Sequence, residues 1–209
     1  MSQRVFVTGI STEVGKTMVS AILTESLKAD YWKPVQAGDL EYGDKHKVQD
    51  LVSNESSRFF DNVYALNTPM SPHAAAEIDG VKIDLSAIQS PQTNKTLIVE
   101  GAGGLLVPLN QEQTIADLIL PSDKVVLISR HYLGSINHTL LSCEYLKQKG
   151  IQPGLIFSGD EHPTTESIIL HKTGLPFLGR LDEQESFDKS IIQQYARRWQ
   201  DTLEAWLKA

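Results

Sequence analysis

The 209-residue chain holds a single cysteine, Cys143, so no disulfide can form within it. A chain without disulfides suits a reducing compartment. No apolar run approaches the ~20 residues that a membrane-spanning helix needs. The opening stretch, "MSQRVFVTG", lacks the apolar core of a secretory signal. Basic charge is also scarce: 19 Lys and Arg stand against 26 Asp and Glu, a net charge of −7. Non-specific nucleic-acid binding works by replacing phosphate counterions with basic groups, so an acidic chain argues against that class of partner. It leaves room for one nucleotide, where a few local cations suffice. The six histidines show no ligand spacing, and His131 and His138 lie seven apart with no cysteine or acidic pattern beside them, which excludes a zinc site of ordinary form. No serine sits in a Gly-x-Ser-x-Gly elbow. Repeats, low-complexity tracts and linkers are absent. The expectation is a soluble, cytoplasmic protein of one domain, residues 1–209, without membrane or nucleic-acid partners.

What is present is alternation. "RVFVT" (4–8), "YWKPV" (31–35), "TLIVE" (96–100), "KVVLIS" (124–129) and "GLIF" (154–157) read as strands, the later three apolar nearly throughout. Helical patterns lie between them. One follows Lys16. Another runs from about Ser135 to Lys149, with Ile136, Leu140, Cys143 and Leu146 or Lys147 in step, Ser135 as cap and Gly150 as stop. A third spans about 188–207, where Ile192, Tyr195, Trp199, Leu203 and Trp206 recur at helical spacing. That stripe fits a helix packed on a sheet or a subunit interface better than an aromatic ligand box. Residues 39–68 read as loops around a short helix. The pattern predicts an α/β fold with a mostly parallel sheet flanked by helices, its ligands beyond the carboxyl ends of the strands.

The polar motifs fall at those ends. "TGISTEVGKT" (8–17) follows the first strand and opens a helix, the setting of a P-loop. The usual spacing from glycine to Gly-Lys-Thr is four residues; from Gly9 to Gly15 it is five. Backbone N–H groups and a helix N-terminus favour an anion there. Lys16 is placed to bridge terminal phosphates and the Thr17 hydroxyl to ligate Mg²⁺. A metal bound with ATP needs further hard oxygen ligands. Glu100, ending a buried strand in "LIVEGAGG", is one candidate, its other reading being a buried partner of Lys16 or Lys33. Asp44, in "YGDKHKVQ", is a second, a turn or cap residue otherwise. Lys33, in "WKPVQAG", points into the same cleft or stands solvated at a strand end.

Five segments in order, "FVTGISTEVGKT", "KPVQAG", "SPHAAAE", "VEGAGGLLVPL" and "LGSINHTLL", resemble the dethiobiotin synthetase family over about residues 4–157. The longer Gly-x5-Gly-Lys-Thr loop is a mark of that family. The resemblance implies a P-loop NTPase-like fold and a ligase acting on ATP, CO₂ and 7,8-diaminononanoate, with Mg²⁺, in biotin biosynthesis. It assigns ATP phosphates to Glu13, Val14, Gly15, Lys16, Thr17 and Met18, with Asp44, Glu100, Gly101, Ala102 and Gly103 completing the nucleotide cleft. Mg²⁺ falls to Thr17, Asp44 and Glu100, and catalysis to Lys33 and Lys16. Substrate contacts fall to Lys33, Ala37, Gly134, Ser135, Ile136 and Asn137, the last four on a helix N-terminus that serves the site across a homodimer interface. This sequence departs from the pattern in three places. Ala37 stands where relatives carry Ser or Thr. Ser158 and Gly159 stand where relatives carry Asn-Asp or Asn-Gly to read the base. The stretch after Pro176 lacks a proline that shapes the base pocket, leaving Asp160 and Glu161 as candidates for base or ribose contacts. A Lys33→Ala exchange is expected to cut turnover far more than folding stability. The competing reading is a nucleotide-dependent switch or partitioning ATPase of the same fold class.

Overall fold

A computed structural model describes residues 3–209. Along the chain run β1 (Arg4–Gly9), α1 (Lys16–Leu27), β2 (Asp30–Trp32), β3 (Val35–Ala37), α2 (Asp44–Leu51), β4 (Phe59–Phe60), β5 (Tyr64–Leu66), α3 (Pro72–Ile78), β6 (Leu97–Gly104), β7 (Lys124–Arg130), α4 (Ser135–Gln148), β8 (Gly154–Ser158), α5 (Pro163–Thr173), β9 (Phe177–Leu181) and α6 (Lys189–Lys208). Seven strands form one sheet in the order β4-β2-β6-β1-β7-β8-β9. Every pairing in it is parallel.

Alternation along β1 shows why the apolar runs are continuous. Val5 and Val7 turn to one face, Phe6 to the other, and all three are fully buried. The first face packs under α1 and α6, where Ile192, Tyr195, Trp199, Leu203 and Trp206 join Val126, Ile128 and Ile156. The expected stripe of α6 is therefore a packing face. The second face is covered by Ile115, Leu118 and Leu146 around Phe6 and Val99, and by Cys143 and Ile169 around Leu127 and Phe157. Parallel strands buried on both sides need apolar residues at every position.

Three expectations change. The strand expected over 31–35 is broken. Pro34 has no N–H to offer a ladder, so the chain leaves the main sheet after Trp32 and continues as β3 in a separate two-stranded parallel sheet with β5. Residues 39–68, expected as loops around a helix, hold α2 but also β4 and β5. At α4 the cap is Gly134, with φ 103°, and Ser135 is the first helical residue. The helix also buries a different face: Ser135, Thr139, Cys143 and Leu146 point inward, Leu140 is half-buried and Ile136 is exposed. The Thr139 hydroxyl bonds the Ser135 carbonyl and the Ser129 hydroxyl, both at 2.7 Å, so its burial leaves no polar atom unpaired.

Candidate nucleotide and metal site

The phosphate loop joins β1 to α1 at the carboxyl edge of the sheet. Close packing accounts for its first glycine. A Cβ on Gly9 would stand 2.3 Å from Cγ2 of Val14, whose side chain folds back into the core. Gly9 is thus required by close approach. Gly15 caps α1 with φ 92°, a left-handed conformation that glycine adopts without strain. Glu13 also has positive φ, 54°, and stands exposed at the lip.

Beside this loop lies a cleft of about 710 Å³. Glu13, Gly15, Lys16, Thr17, Met18, Lys33, Ala37, Asp44, Glu100, Ala102 and Gly103 all line it, from four separated segments. Six assigned residues do not follow this pattern. Val14 is buried, leaving only its backbone for a phosphate. Gly101 packs against Phe6 and Ile115. The 134–137 segment lies outside the cleft of its own chain, with Asn137 lining a different cavity, between α4 and α5. Asp160 and Glu161 are exposed beyond β8, and Glu161 faces Arg180 at 3.5 Å. Ser158, by contrast, is buried against the phosphate loop, its Oγ 3.2 Å from where a Cβ on Gly15 would be. In the stretch without proline, Asp182 is held by Arg180 at 2.9 Å and by the Tyr195 hydroxyl at 2.8 Å.

The charged groups form one network. Lys33 is 5% exposed, which removes the solvated reading, and its Nζ donates to Asp44 Oδ2 and to Glu100 Oε1, the latter at 3.1 Å. The Thr17 hydroxyl donates to the same Glu100 Oε1 at 3.1 Å. Glu100 Oε2 accepts from the buried Tyr31 hydroxyl at 2.9 Å. Of the two sequence readings of Glu100, the structure shows the buried partner of Lys33, and the same oxygen also accepts from Thr17. Burial pushes the Lys33 pKa down, but Glu100 and Asp44 outweigh it and the net shift is upward, so Lys33 is a cation. Burial also pushes the Asp44 carboxyl up, and Lys33, Lys47 and the Thr17 hydroxyl more than reverse it, so Asp44 is ionised. Lys16 behaves differently. Its Nζ donates to the Ser11 carbonyl at 3.0 Å, and burial, aided by the Lys33 charge and opposed by Glu100 and Asp44, lowers its pKa to about 8.

The Thr17 hydroxyl and the carboxylates of Asp44 and Glu100 supply hard oxygen donors around one point, a donor set that fits Mg²⁺. In the structure that point is served by the Lys33 ammonium. Sequence reading missed Tyr31 and Gln36. The Gln36 side chain accepts from the Asp44 backbone N–H at 3.4 Å and donates to the Gly38 carbonyl at 2.9 Å, tying down the start of α2. Tyr31 reaches the site through the pairing of β2 with β6, which its own segment does not announce.

A family model described as an AAA domain matches residues 3–190. A Christiangramia forsetii protein named ATP-dependent dethiobiotin synthetase BioD is 60% identical over 204 residues, spanning 97% of this chain and 99% of that protein. One of the same name from Cytophaga hutchinsonii is 49% identical over 197 residues, spanning 93% and 95%. Among solved structures, a plasmid partition protein from Borrelia burgdorferi matches with a TM-score of 0.58 at 15% identity, over 98% of this chain and 99% of that one. That likeness shows the fold alone, a P-loop NTPase-like parallel sheet.

Proposed function

The chain belongs to the ATP-dependent dethiobiotin synthetase family, and from that premise we propose how its cleft divides the work. The reaction closes a ureido ring on 7,8-diaminononanoate. One substrate amine adds to CO₂ and loses a proton, giving a carbamate. A carbamate oxygen takes the γ-phosphoryl of ATP, releasing ADP and leaving a carbamic-phosphoric anhydride. The second amine attacks the anhydride carbonyl and expels phosphate. Because the carbamate is itself the nucleophile, the protein's task is positioning and charge stabilisation.

The observation that carries the reading is the convergence of Lys16, Thr17, Lys33, Asp44 and Glu100 in one cleft. Backbone N–H groups of residues 13–18 and the α1 N-terminus hold the phosphates. Thr17, Asp44 and Glu100 hold Mg²⁺, which when bound supplies charge neutralisation to the phosphates. Lys33 releases its carboxylates and turns to the carbamate and the γ-phosphoryl oxygens, while Lys16 bridges the terminal phosphates. Ala37 gives the substrate no side-chain hydrogen bond, so on this side the diamine is held by Lys33 and backbone groups. The α4 N-terminus, Gly134 to Asn137, takes the substrate carboxylate of the neighbouring subunit in a homodimer. Two facts support this. The segment lies outside the cleft of its own chain, and Leu133, Ile136 and Leu141 leave its surroundings apolar and exposed. The whole chain acts as one domain. The partitioning-switch reading rests on fold likeness alone and is not adopted.

The test is to combine the protein with diaminononanoate, bicarbonate and Mg-ATP. Ring product with stoichiometric, diamine-dependent ADP release is expected. Absence of both overturns the reading.

A further inference from the structure

We propose that Tyr31 is a positioning residue that leaves Glu100 a single metal-facing oxygen and so favours Mg²⁺ over Ca²⁺ in the nucleotide site. The proposal rests on the reading of Thr17, Asp44 and Glu100 as metal ligands. Its own basis is the way the two oxygens of Glu100 are sorted. Oε1 faces the cleft, where Thr17 and Lys33 both reach it at 3.1 Å. Oε2 faces inward and meets the Tyr31 hydroxyl at 2.9 Å.

Strand register brings this about. Tyr31 of β2 pairs with Ile98 of β6, so Glu100 lies two residues further along on the same face. A diagonal neighbour of this kind is within reach of a long aromatic side chain. The Tyr31 ring has no freedom to withdraw: it is fully buried in the core with Val48, Val52 and Ile98, and Phe59 lies against it at 6.4 Å between ring centroids. The hydroxyl therefore holds Oε2 away from the cleft.

That arrangement treats two cations unequally. Mg²⁺ takes six ligands in strict octahedral geometry and accepts a carboxylate through one oxygen. Ca²⁺ takes six to eight oxygens and often gains the extra ones by gripping a carboxylate through both. With Oε2 held by Tyr31, Ca²⁺ loses a ligand that Mg²⁺ does not use. The Tyr31→Phe exchange keeps the ring and removes only the hydroxyl, so Oε2 becomes free to turn outward.

The measurement is calorimetric binding of a non-hydrolysable β,γ-imido ATP analogue in saturating Mg²⁺ or saturating Ca²⁺, for wild type, Tyr31→Phe and Glu100→Gln. The wild type should prefer the Mg²⁺ complex. Tyr31→Phe should narrow that preference about five- to tenfold, the worth of roughly one hydrogen bond, by tightening the Ca²⁺ complex. An unchanged Mg²⁺ to Ca²⁺ ratio in a variant that melts cooperatively overturns the proposal. Glu100→Gln separates the two levels of inference. If it abolishes the gain that Mg²⁺ gives to nucleotide binding, the metal reading stands whatever Tyr31→Phe does. If it leaves that gain intact, the metal reading falls and the role of Tyr31 falls with it. Should Tyr31→Phe fail to fold, a crystal structure of wild type with Ca²⁺ and the analogue decides the matter. Glu100 bound through one oxygen, with Oε2 kept by Tyr31, supports the proposal, and Glu100 bound through both overturns it.

Discussion

Replacing Lys33 with methionine tests the electrostatic account of the cleft most directly. Methionine keeps an unbranched chain of similar length and removes the charge. In the nucleotide-free protein the change strips Glu100, whose side chain is fully buried, and Asp44, 18% exposed, of the cation between them. Removing one partner of a buried ion pair typically costs about 3–5 kcal/mol, because the remaining charge is left uncompensated. The low end applies here, since Asp44 retains Lys47 at 3.6 Å and partial contact with water. About 3 kcal/mol in a chain of this size lowers the melting temperature by about 6–12 °C. Beside the expected loss of turnover, the burial of Lys33 between two carboxylates adds a cost in stability.

The assay is thermal denaturation of wild type, Lys33→Met and Lys45→Met, each without ligand and with Mg²⁺ plus the non-hydrolysable analogue. Lys45 pairs with Asp61, which is 90% exposed, so its loss should cost less than about 1 kcal/mol. With Mg²⁺ and nucleotide the gap between Lys33→Met and wild type should shrink, because a dication then serves the two carboxylates. Turnover should remain depressed about 10²–10³-fold, the usual loss when one charge-stabilising group is removed from a transition state. If Lys33→Met and Lys45→Met melt within about 2 °C of each other without ligand, Lys33 is not the cation that compensates Asp44 and Glu100.

Much of the cleft was legible because its residues follow apolar runs. Glu100 closes the apolar run of a buried strand, Lys16 opens the helix after the first strand and Lys33 stands beside the proline that breaks the second, and all three positions lie toward the carboxyl edge of the sheet. Asp44 was placed by resemblance alone, since eleven residues separate it from Lys33 and nothing in its own segment distinguishes a ligand from a cap. The two- and three-residue strands β4 and β5 are too short to display alternation. The face of α4 was misread for another reason. Helical periodicity marks apolar positions without saying what covers them. Here Ser135 and Thr139 go inward, the Thr139 hydroxyl paired with that of Ser129 on β7, while Ile136 and Leu141 stay outside. The reading of an α/β sheet was unaffected, because the strands are apolar whichever way the helices turn.

Three further outcomes follow. Lys16, with its pKa lowered to about 8 by burial, is largely neutral above that pH until a triphosphate restores its charge, so nucleotide binding at pH 9 should take up a proton and binding at pH 7 should not; calorimetry in buffers of different ionisation enthalpy reads this, and equal uptake at both pH values refutes it. The same shift means that the unfolded chain binds more protons between about pH 8 and 10.5, so Lys16 contributes a stability that rises with pH across that window. Asp30, fully buried and bonded to the Arg58 guanidinium at 2.8 and 3.0 Å, the Arg58 backbone N–H at 2.9 Å and Thr93 at 2.7 Å, begins β2 away from the cleft; Asp30→Asn should destabilise the fold by about 1–3 kcal/mol in chemical denaturation with kcat/KM within about twofold of wild type, and a large kinetic loss without destabilisation would contradict that placement. The last outcome concerns assembly. The residues that read as the nucleotide site converge in a cleft of one chain, whereas the 134–137 segment lies outside it. A monomer should therefore keep its affinity for nucleotide and lose its hold on the diamine. Leu133 is fully exposed and Leu141 is 61% exposed, so Leu133→Asp with Leu141→Asp places two carboxylates on the proposed contact without touching the core. Sedimentation should show the double variant as a monomer, its analogue affinity within about twofold of wild type and its KM for the diamine raised by about tenfold or more, the scale of one lost charge-assisted hydrogen bond. A wild type that sediments as a monomer while fully active, or a monomeric variant with an unchanged KM, would show that the site is complete in one chain.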